Sequence, residues 1–345
     1  MIGYYDGTKL LSMKDLDGNQ PEIYLCCSNR SAGKTTWFSR WFVKRFLEYG
    51  EKFCLIYRYN YELSDIADKF FKEIKYLFFQ NHNMVSKTRA KGIYTELFLD
   101  DNSCGYAVSI NNADQLKKMS HLLSDSCRML FDEFQSESNH YCDNELQKFI
   151  SLHTSIARGQ GKQVKYLPVY MLGNYVSLLN PYFSSLGVSS RLKIDTNYLR
   201  GNGWVLEQGY NETSALLQKE SAFNKAFSAE TYVRYASEKY YLDDNNAFIE
   251  QPSGNSRYLC TIIYDGKYYG IREYKELGII YCDSSADKSF PTKLTVNLRD
   301  HDSNYLLIRT TDTFLNLLRW YFEHGVFRFQ NLECKNAILV TCAYR

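Results

Sequence analysis

Residues 28–37, SNRSAGKTTW, place a Gly-Lys-Thr triplet behind a run of small and polar residues. That is the chemistry of a phosphate cradle: a tight loop with inward-pointing backbone N–H groups, followed by a helix whose N-terminus faces the anion. Against the pattern GxxxxGK followed by Ser or Thr, Gly33, Lys34 and Thr35 match, and Ser28 stands where the first glycine is usual. Gly33 permits close backbone approach to a phosphate. Lys34 reaches the β and γ phosphates of ATP, and the Thr35 hydroxyl coordinates Mg2+. Asn29, Arg30, Ser31, Ala32 and Thr36 complete the expected nucleotide contact. Ser28 need only make the strand-to-loop turn, which a small residue can do.

The triplet alone is weak evidence, and a second element strengthens it. In CRMLFDEF an apolar run ends in Asp132 and Glu133. There Asp132 would hold the magnesium ion, and Glu133 would orient and polarise an attacking water. VYMLGN ends a later apolar run at Asn174, either a sensor of the γ-phosphate or a turn residue capping a strand. SLHTSIARGQGKQVK reads as a helix running into a Gly-bounded basic loop with Arg158, Lys162 and Lys165. Arg158 could present its planar fork to a neighbouring subunit's phosphates; the alternative is a solvated charge at a helix end. Arg58 is a weaker nucleotide-site candidate. Lys87, Arg89 and Lys91 in SKTRAKG could touch a phosphate backbone or simply form a wet loop.

The elements that must position these residues follow from periodicity. EIYLCC, the run from Lys34 to Tyr49 closed by Gly50, KFCLIYRY and ELSDIADKFFKEI alternate as β, α, β, α, which implies a mostly parallel sheet covered by helices. GIYTELFLDD and CGYAVSI read as an inserted hairpin with its turn at Asp100 to Ser103. CRMLFDEF and VKYLPVYMLGN then resume the sheet, giving four or five core strands before residue 180. The stretch from NYLRGNGW to EKYYLDDNN reads as helical and polar. After EQPSGNS, the segments RYLCTIIYDG, KYYGIREYK and GIIYCDSS read as three antiparallel strands, followed by the amphipathic helix TDTFLNLLRWYFEHG. The expected division is an ATPase domain at 1–200, a helical linker at 201–248 and an α+β domain at 249–345.

Composition sets the outer bounds. The 345 residues exceed one small domain, and 30 Tyr with 21 Phe supply an unusually aromatic core. A net charge of +2 argues against a uniformly basic nucleic-acid protein, so DNA contacts must come from local patches. The 10 cysteines contain no C-x-x-C pair, and several, such as Cys26, Cys27, Cys54 and Cys260, fall in apolar runs, as reduced core thiols would. MIGYYDGTKL has no basic stretch leading into an apolar one, and about 18 consecutive apolar residues occur nowhere, so neither membrane nor secretion is expected.

RSAGKT, YGEKFCLIYRYNYEL, MLFDEF, GNYVSLLNPYF, IIYDGKYYGI and YLLI, in this order and over nearly the whole chain, resemble the DNA encapsidation ATPases of φ29-like short-tailed phages. The resemblance implies a P-loop ASCE-type ATPase domain, a small helical linker and a C-terminal domain of vestigial RNase H-like nuclease type. It implies a homomeric ring, a pentamer, acting in the host cytoplasm at the portal vertex of an empty capsid. There the ring would hydrolyse ATP to push double-stranded DNA inward, in contact with the portal (connector) protein, with a structural RNA as a further conceivable partner. Family roles fall on Gly33, Lys34 and Thr35, on Asp132 and Glu133, and, for an arginine acting in trans, on Arg158. In the C-terminal domain only Asp265 and Asp283 lie on or beside strands, with Asp300 and Asp302 in a polar stretch, few for a two-metal nuclease. Two other readings stay open: a nucleotide-gated assembly scaffold at the portal, and a terminase-like motor with an active nuclease.

Overall fold

Short apolar runs buried on both faces form the centre of the first unit, as parallel strands require. The computed structural model describes residues 5–343 apart from 139, 160, 162, 194, 245 and 308–311, and the side chains at 65 and 66 are left aside. The chain divides into two compact units, Met1–Tyr182 with Leu192–Asp243, and Phe183–Arg191 with Asp244–Arg345.

The strands of the first unit are β1 (Ile23–Cys27), β2 (Lys52–Tyr57), β3 (Met84–Arg89), β4 (Tyr94–Leu99), β5 (Asn102–Ser109), β6 (Ser126–Phe131), β7 (Val169–Gly173), β8 (Tyr198–Gly201) and β9 (Trp204–Gln208). They form one sheet in the order β3-β4-β5-β2-β6-β7-β1-β9-β8. From β5 to β9 every neighbouring pair is parallel. Antiparallel hairpins close both edges. The predicted turn between β4 and β5 is present: Leu99 pairs with Asn102, and Asp100 and Asp101 take φ of 49° and 63°, the double left-handed turn that fits strand twist.

Two sequence readings change here. SKTRAKG is not simply a loop ahead of the hairpin, because Ser86 to Arg89 belong to β3, the edge strand, where exposed basic side chains discourage further pairing. The stretch from residue 201 is not helical at its start. A boundary at 200 falls inside the β8–β9 hairpin, and β9 (WVLEQ) is buried throughout beside β1. Its polar Glu207 is satisfied by the hydroxyls of Tyr5 and Tyr198, at 2.5 and 3.1 Å. The helices Glu212–Glu220, Ala222–Ala226 and Thr231–Ser237 follow within the first unit.

The helix Lys34–Tyr49 packs on the sheet through Phe38, Phe42 and Val43, all essentially fully buried. Ring contacts from Phe38 and Phe42 to Tyr170 and from Phe42 to Phe53 put the aromatic excess to use as core. The helix stops at Gly50, whose φ of 69° and N–H bond to the Phe46 carbonyl make the left-handed cap.

The second unit contains β10 (Arg257–Tyr264), β11 (Lys267–Tyr274), β12 (Ile279–Asp283), β13 (Lys293–Thr295), β14 (Leu306–Leu307) and β15 (Phe327–Phe329). Their order is β14-β13-β10-β11-β12-β15. The first three strands are antiparallel, while β13 runs parallel to β10, β14 to β13, and β15 to β12. Without β15, this is the strand order and sense of an RNase H-like sheet. Helices Thr313–Glu323 and Leu332–Ala343 cover it with Leu315, Leu318, Cys334, Ala337 and Ile338.

All ten cysteines are free thiols, eight of them buried. Among the described residues no helix is long and apolar enough to cross a membrane.

Candidate active site

β1 ends at Cys27 and the loop turns at Ser28, which is buried and does not take a positive φ. Nothing in that conformation requires glycine, which explains how serine serves there. The left-handed positions of the loop are Ser31, at φ 60°, and Gly33, at φ 91°. Gly33 therefore uses its freedom, and it caps the helix that begins at Lys34. The Ser28 hydroxyl also has a role: it accepts a bond from Lys34 Nζ at 2.8 Å.

β7 lies between β1 and β6. This order brings the end of β7 against the loop, with the Ser28 N–H donating to the Gly173 carbonyl. Asn174 follows directly, and its Oδ1 accepts from Lys34 Nζ at 3.0 Å. Of the two roles read for Asn174, this geometry favours the one beside the phosphate position. Burial pulls the pKa of Lys34 below its ordinary value, with Cys26 and Asp132 acting in the opposite sense.

β6 delivers Asp132 and Glu133 to the same C-terminal end of the strands. Asp132 is half-buried and accepts a bond from the Thr35 side chain. Desolvation raises its pKa, and Thr35 and Lys34 partly offset that. Glu133 is exposed at its side chain, and its φ of 54° is left-handed for a residue with a Cβ. Such a conformation costs roughly 1–3 kcal/mol and marks backbone held by its surroundings. Its pKa is also raised, first by reduced solvation and then by the carboxylates of Asp132 and Glu137. Beside these strand ends lies a cleft of ≈ 470 Å³, open mouth included, lined by Thr35, Tyr57, Lys69, Phe70, Glu73 and Asp132 among others.

A hydroxyl and a carboxylate already in mutual contact are the donor set of an octahedral oxygen site, so Thr35 and Asp132 fit a magnesium ion. Lys34, the loop backbone and the helix N-terminus fit a polyphosphate.

Asn29 and Arg30 point elsewhere. The Asn29 side chain bonds the Asn211 N–H and carbonyl and the Ser214 hydroxyl, at 2.9 to 3.2 Å, at the start of the helix Glu212–Glu220. Arg30 pairs with Glu137 at 2.8 Å and bonds Tyr232, while Tyr235 also donates to Glu137. Ser31 Oγ accepts from Gln218 at 3.3 Å. These three side chains tie the loop to the helices after β9, so their backbone is what remains for phosphate. Ala32 is buried, and Thr36 is half-buried in the first helical turn. No spacing rule announced Glu137 or Asn211 as partners, because each meets the loop only through the fold.

Arg58 does not face the nucleotide position. Its guanidinium forms a two-pronged pair with Glu145 and donates to the Glu133 and Phe134 carbonyls. Glu145 starts the helix Glu145–Ile156, and Arg158 lies just beyond its other end. That helix spans about 18 Å and runs back across the sheet, because β6 and β7 are parallel. Near its end Lys165, grouped with Arg158 in the sequence, donates to the Ser124 and Ser126 carbonyls at the start of β6. Arg158 is thus at the opposite, N-terminal end of the central strands from its own phosphate loop, exposed, with its Nε on the Thr154 carbonyl. Lys162 lies outside the described residues. Lys87, Arg89 and Lys91 are exposed on and just after β3, Arg89 being paired with Glu96.

In the second unit the carboxylates serve the fold. Asp283 is paired with Arg272 at 2.7 Å, Asp300 accepts from the backbone N–H groups of Asp265 and Gly266, and Asp302 from those of Asn304 and Tyr305.

The family model for the podovirus DNA encapsidation protein (Gp16) matches residues 3–342. The DNA packaging proteins of Bacillus phages PZA and phi29 are each 24% identical over 337 residues, covering 96% of this chain and 95% of theirs. Among solved structures, a chain of the bacteriophage Phi-29 viral genome packaging motor assembly superposes with a TM-score of 0.72 at 21% identity, covering 97% of each chain. A chain of the Phi-28 gp11 DNA packaging motor gives 0.60 at 15% identity, covering 98% of this chain and 97% of that one. The chain belongs to the podovirus DNA encapsidation protein (Gp16) family.

Proposed function

We propose that this protein is an ATP-driven motor that translocates double-stranded viral DNA into a preformed capsid. The observation that carries the proposal is the convergence of Lys34, Thr35, Asp132, Glu133 and Asn174 at the C-terminal end of the parallel strands. Membership in an encapsidation family, and relatives named for DNA packaging, supply the biological setting. Lys34 and the loop N–H groups bind and orient the β and γ phosphates. Magnesium held by Thr35 and Asp132 would neutralise phosphate oxygen charge. Glu133 polarises the attacking water, and Asn174 reports the γ-phosphate to β7.

The finer features belong to the same proposal. The active form is a homomeric ring, a pentamer, docked on the portal protein in the host cytoplasm, with a structural RNA as a conceivable further partner. The first unit hydrolyses ATP, its helices between Glu212 and Ser237 link, and the second unit forms a nuclease-like domain that has lost cutting. Arg158 acts in trans, which its position at the end of the strands away from its own loop supports.

The test is ATP turnover with and without duplex DNA. The wild type should accelerate several-fold on DNA. Lys34→Ala should lose turnover by at least about 10²-fold, because the main side-chain charge on the phosphates is gone. Turnover that ignores DNA favours a nucleotide-gated scaffold, and undiminished turnover in Lys34→Ala removes the ATPase reading.

A further inference from the structure

From the buried contacts behind Glu133, we infer that Arg58, anchored by Glu145, is a positioning residue for Glu133. The inference rests on reading Glu133 as the residue that polarises the attacking water. Arg58 immediately follows β2, the strand beside β6. Its Nε and Nη2 donate to the two carboxylate oxygens of Glu145 at 2.8 and 3.1 Å. The same guanidinium donates through Nη1 to the Glu133 carbonyl at 3.2 Å and through Nη2 to the Phe134 carbonyl at 2.8 Å.

The pair is deeply buried, with side-chain exposures of 8% and 1%. A buried charge persists only when paired and fully hydrogen-bonded, and here it is. Glu145 also accepts from the Tyr182 hydroxyl and the Cys142 N–H, at 2.8 and 2.9 Å. The Arg58 carbonyl in turn accepts from the Ser109 hydroxyl at 2.9 Å. The guanidinium is therefore fixed at both its backbone and its fork.

What it holds is an unusual piece of chain. Glu133 takes a left-handed φ, and its side chain is left exposed while its carbonyl and the next are gripped from behind. Holding those two carbonyls fixes the peptide planes on either side of Phe134 and stabilises the conformation that aims the carboxylate. Lysine can neutralise Glu145, but its single ammonium cannot span one carboxylate and two carbonyls as a planar fork does.

The experiment compares full-length wild type, Arg58→Lys, Glu145→Gln, Glu133→Gln and the Arg58→Lys/Glu133→Gln double variant. It measures kcat and KM for ATP on duplex DNA, binding of a fluorescent ATP analogue, and thermal unfolding. Arg58→Lys should lower kcat roughly 10- to 100-fold while KM and analogue affinity stay within about twofold, the pattern of an interaction that acts only on the chemical step. Added to Glu133→Gln, it should cause no further loss, because it acts through that residue. Glu145→Gln, which keeps the shape and removes the charge, should reproduce the effect in weaker form. It also decides the matter if Arg58→Lys does not fold. Wild-type kcat in both Arg58→Lys and Glu145→Gln, a loss of analogue binding matching the loss of kcat, or multiplied losses in the double variant overturns the positioning role. Those outcomes leave the ATPase reading intact provided Glu133→Gln is inactive. Full turnover in Glu133→Gln overturns the role of Glu133 itself, and this inference with it.

Discussion

At the residue scale the site is a balance of charges kept partly out of water. Asp132 and Glu133 both have raised pKa values, so over the interval above the ordinary carboxylate range the folded state holds protons that the unfolded chain has released. Stability from these groups is present at low pH and is lost as pH rises through their folded values. At neutral pH and above, in protein free of nucleotide, the ionised carboxylates weigh against folding. Asp132→Asn keeps an acceptor for Thr35 and removes one charge. Its melting temperature at pH 8 should exceed that of the wild type by about 2–4 °C, and the gain should shrink as pH falls towards the carboxylate range. A melting temperature at or below wild type at pH 8 would count against this account. The sequence grouped Lys34, Thr35, Asp132 and Glu133 as one expected site, but gave no sign that Ser28 and Asn174 would both bond Lys34, since Asn174 meets the loop only when β7 lies beside β1.

At the element scale, function depends on which strands are neighbours. β2 is flanked by β5 and β6, and Gly105 pairs with Phe53 across the β2–β5 contact. A Cβ at Gly105 would lie 2.2 Å from the Phe53 carbonyl oxygen and 3.1 Å from its carbonyl carbon. Backbone in the middle of a sheet cannot move aside, so Gly105→Ala should cost roughly 2–4 kcal/mol, read as a lowered denaturation midpoint. A wild-type midpoint would mean that the two strands separate more easily than their burial implies. Because β2 leads directly into Arg58, the same variant should reduce turnover where it still folds. The hairpin turn at Asp100 and Asp101 and the helix ending at Gly50 were legible from local sequence. The β8–β9 hairpin was not, because five residues of WVLEQ beside a Gly-Asn-Gly turn are too short for periodicity to separate strand from coil.

At the scale of the whole molecule, the proposed ring gives Arg158 its meaning. An arginine supplied by a neighbour stabilises charge that develops only in the transition state, and such fingers are worth roughly 10³ to 10⁵ in rate. Arg158→Ala should therefore bind ATP normally and hydrolyse it poorly. Mixed with Lys34→Ala subunits, which retain Arg158, it should recover activity that neither variant has alone, because some interfaces then join an intact loop to a donated arginine. Mixed rings that form and stay inactive would falsify the trans role. The sequence by itself determined the α/β class, the helix and strand of the phosphate loop, the acidic pair at the end of β6 and the three antiparallel strands of the second unit, since each is written in a contiguous run of residues with one period or one motif. Only the tertiary structure decided that β7 separates β1 from β6, that Asn29 and Arg30 turn to the later helices, that Arg58 grips the backbone of Glu133 and that Arg158 stands at the far end of the strands from its own site. Those facts depend on strand order and on contacts between residues tens to hundreds of positions apart, which no local pattern of side chains encodes.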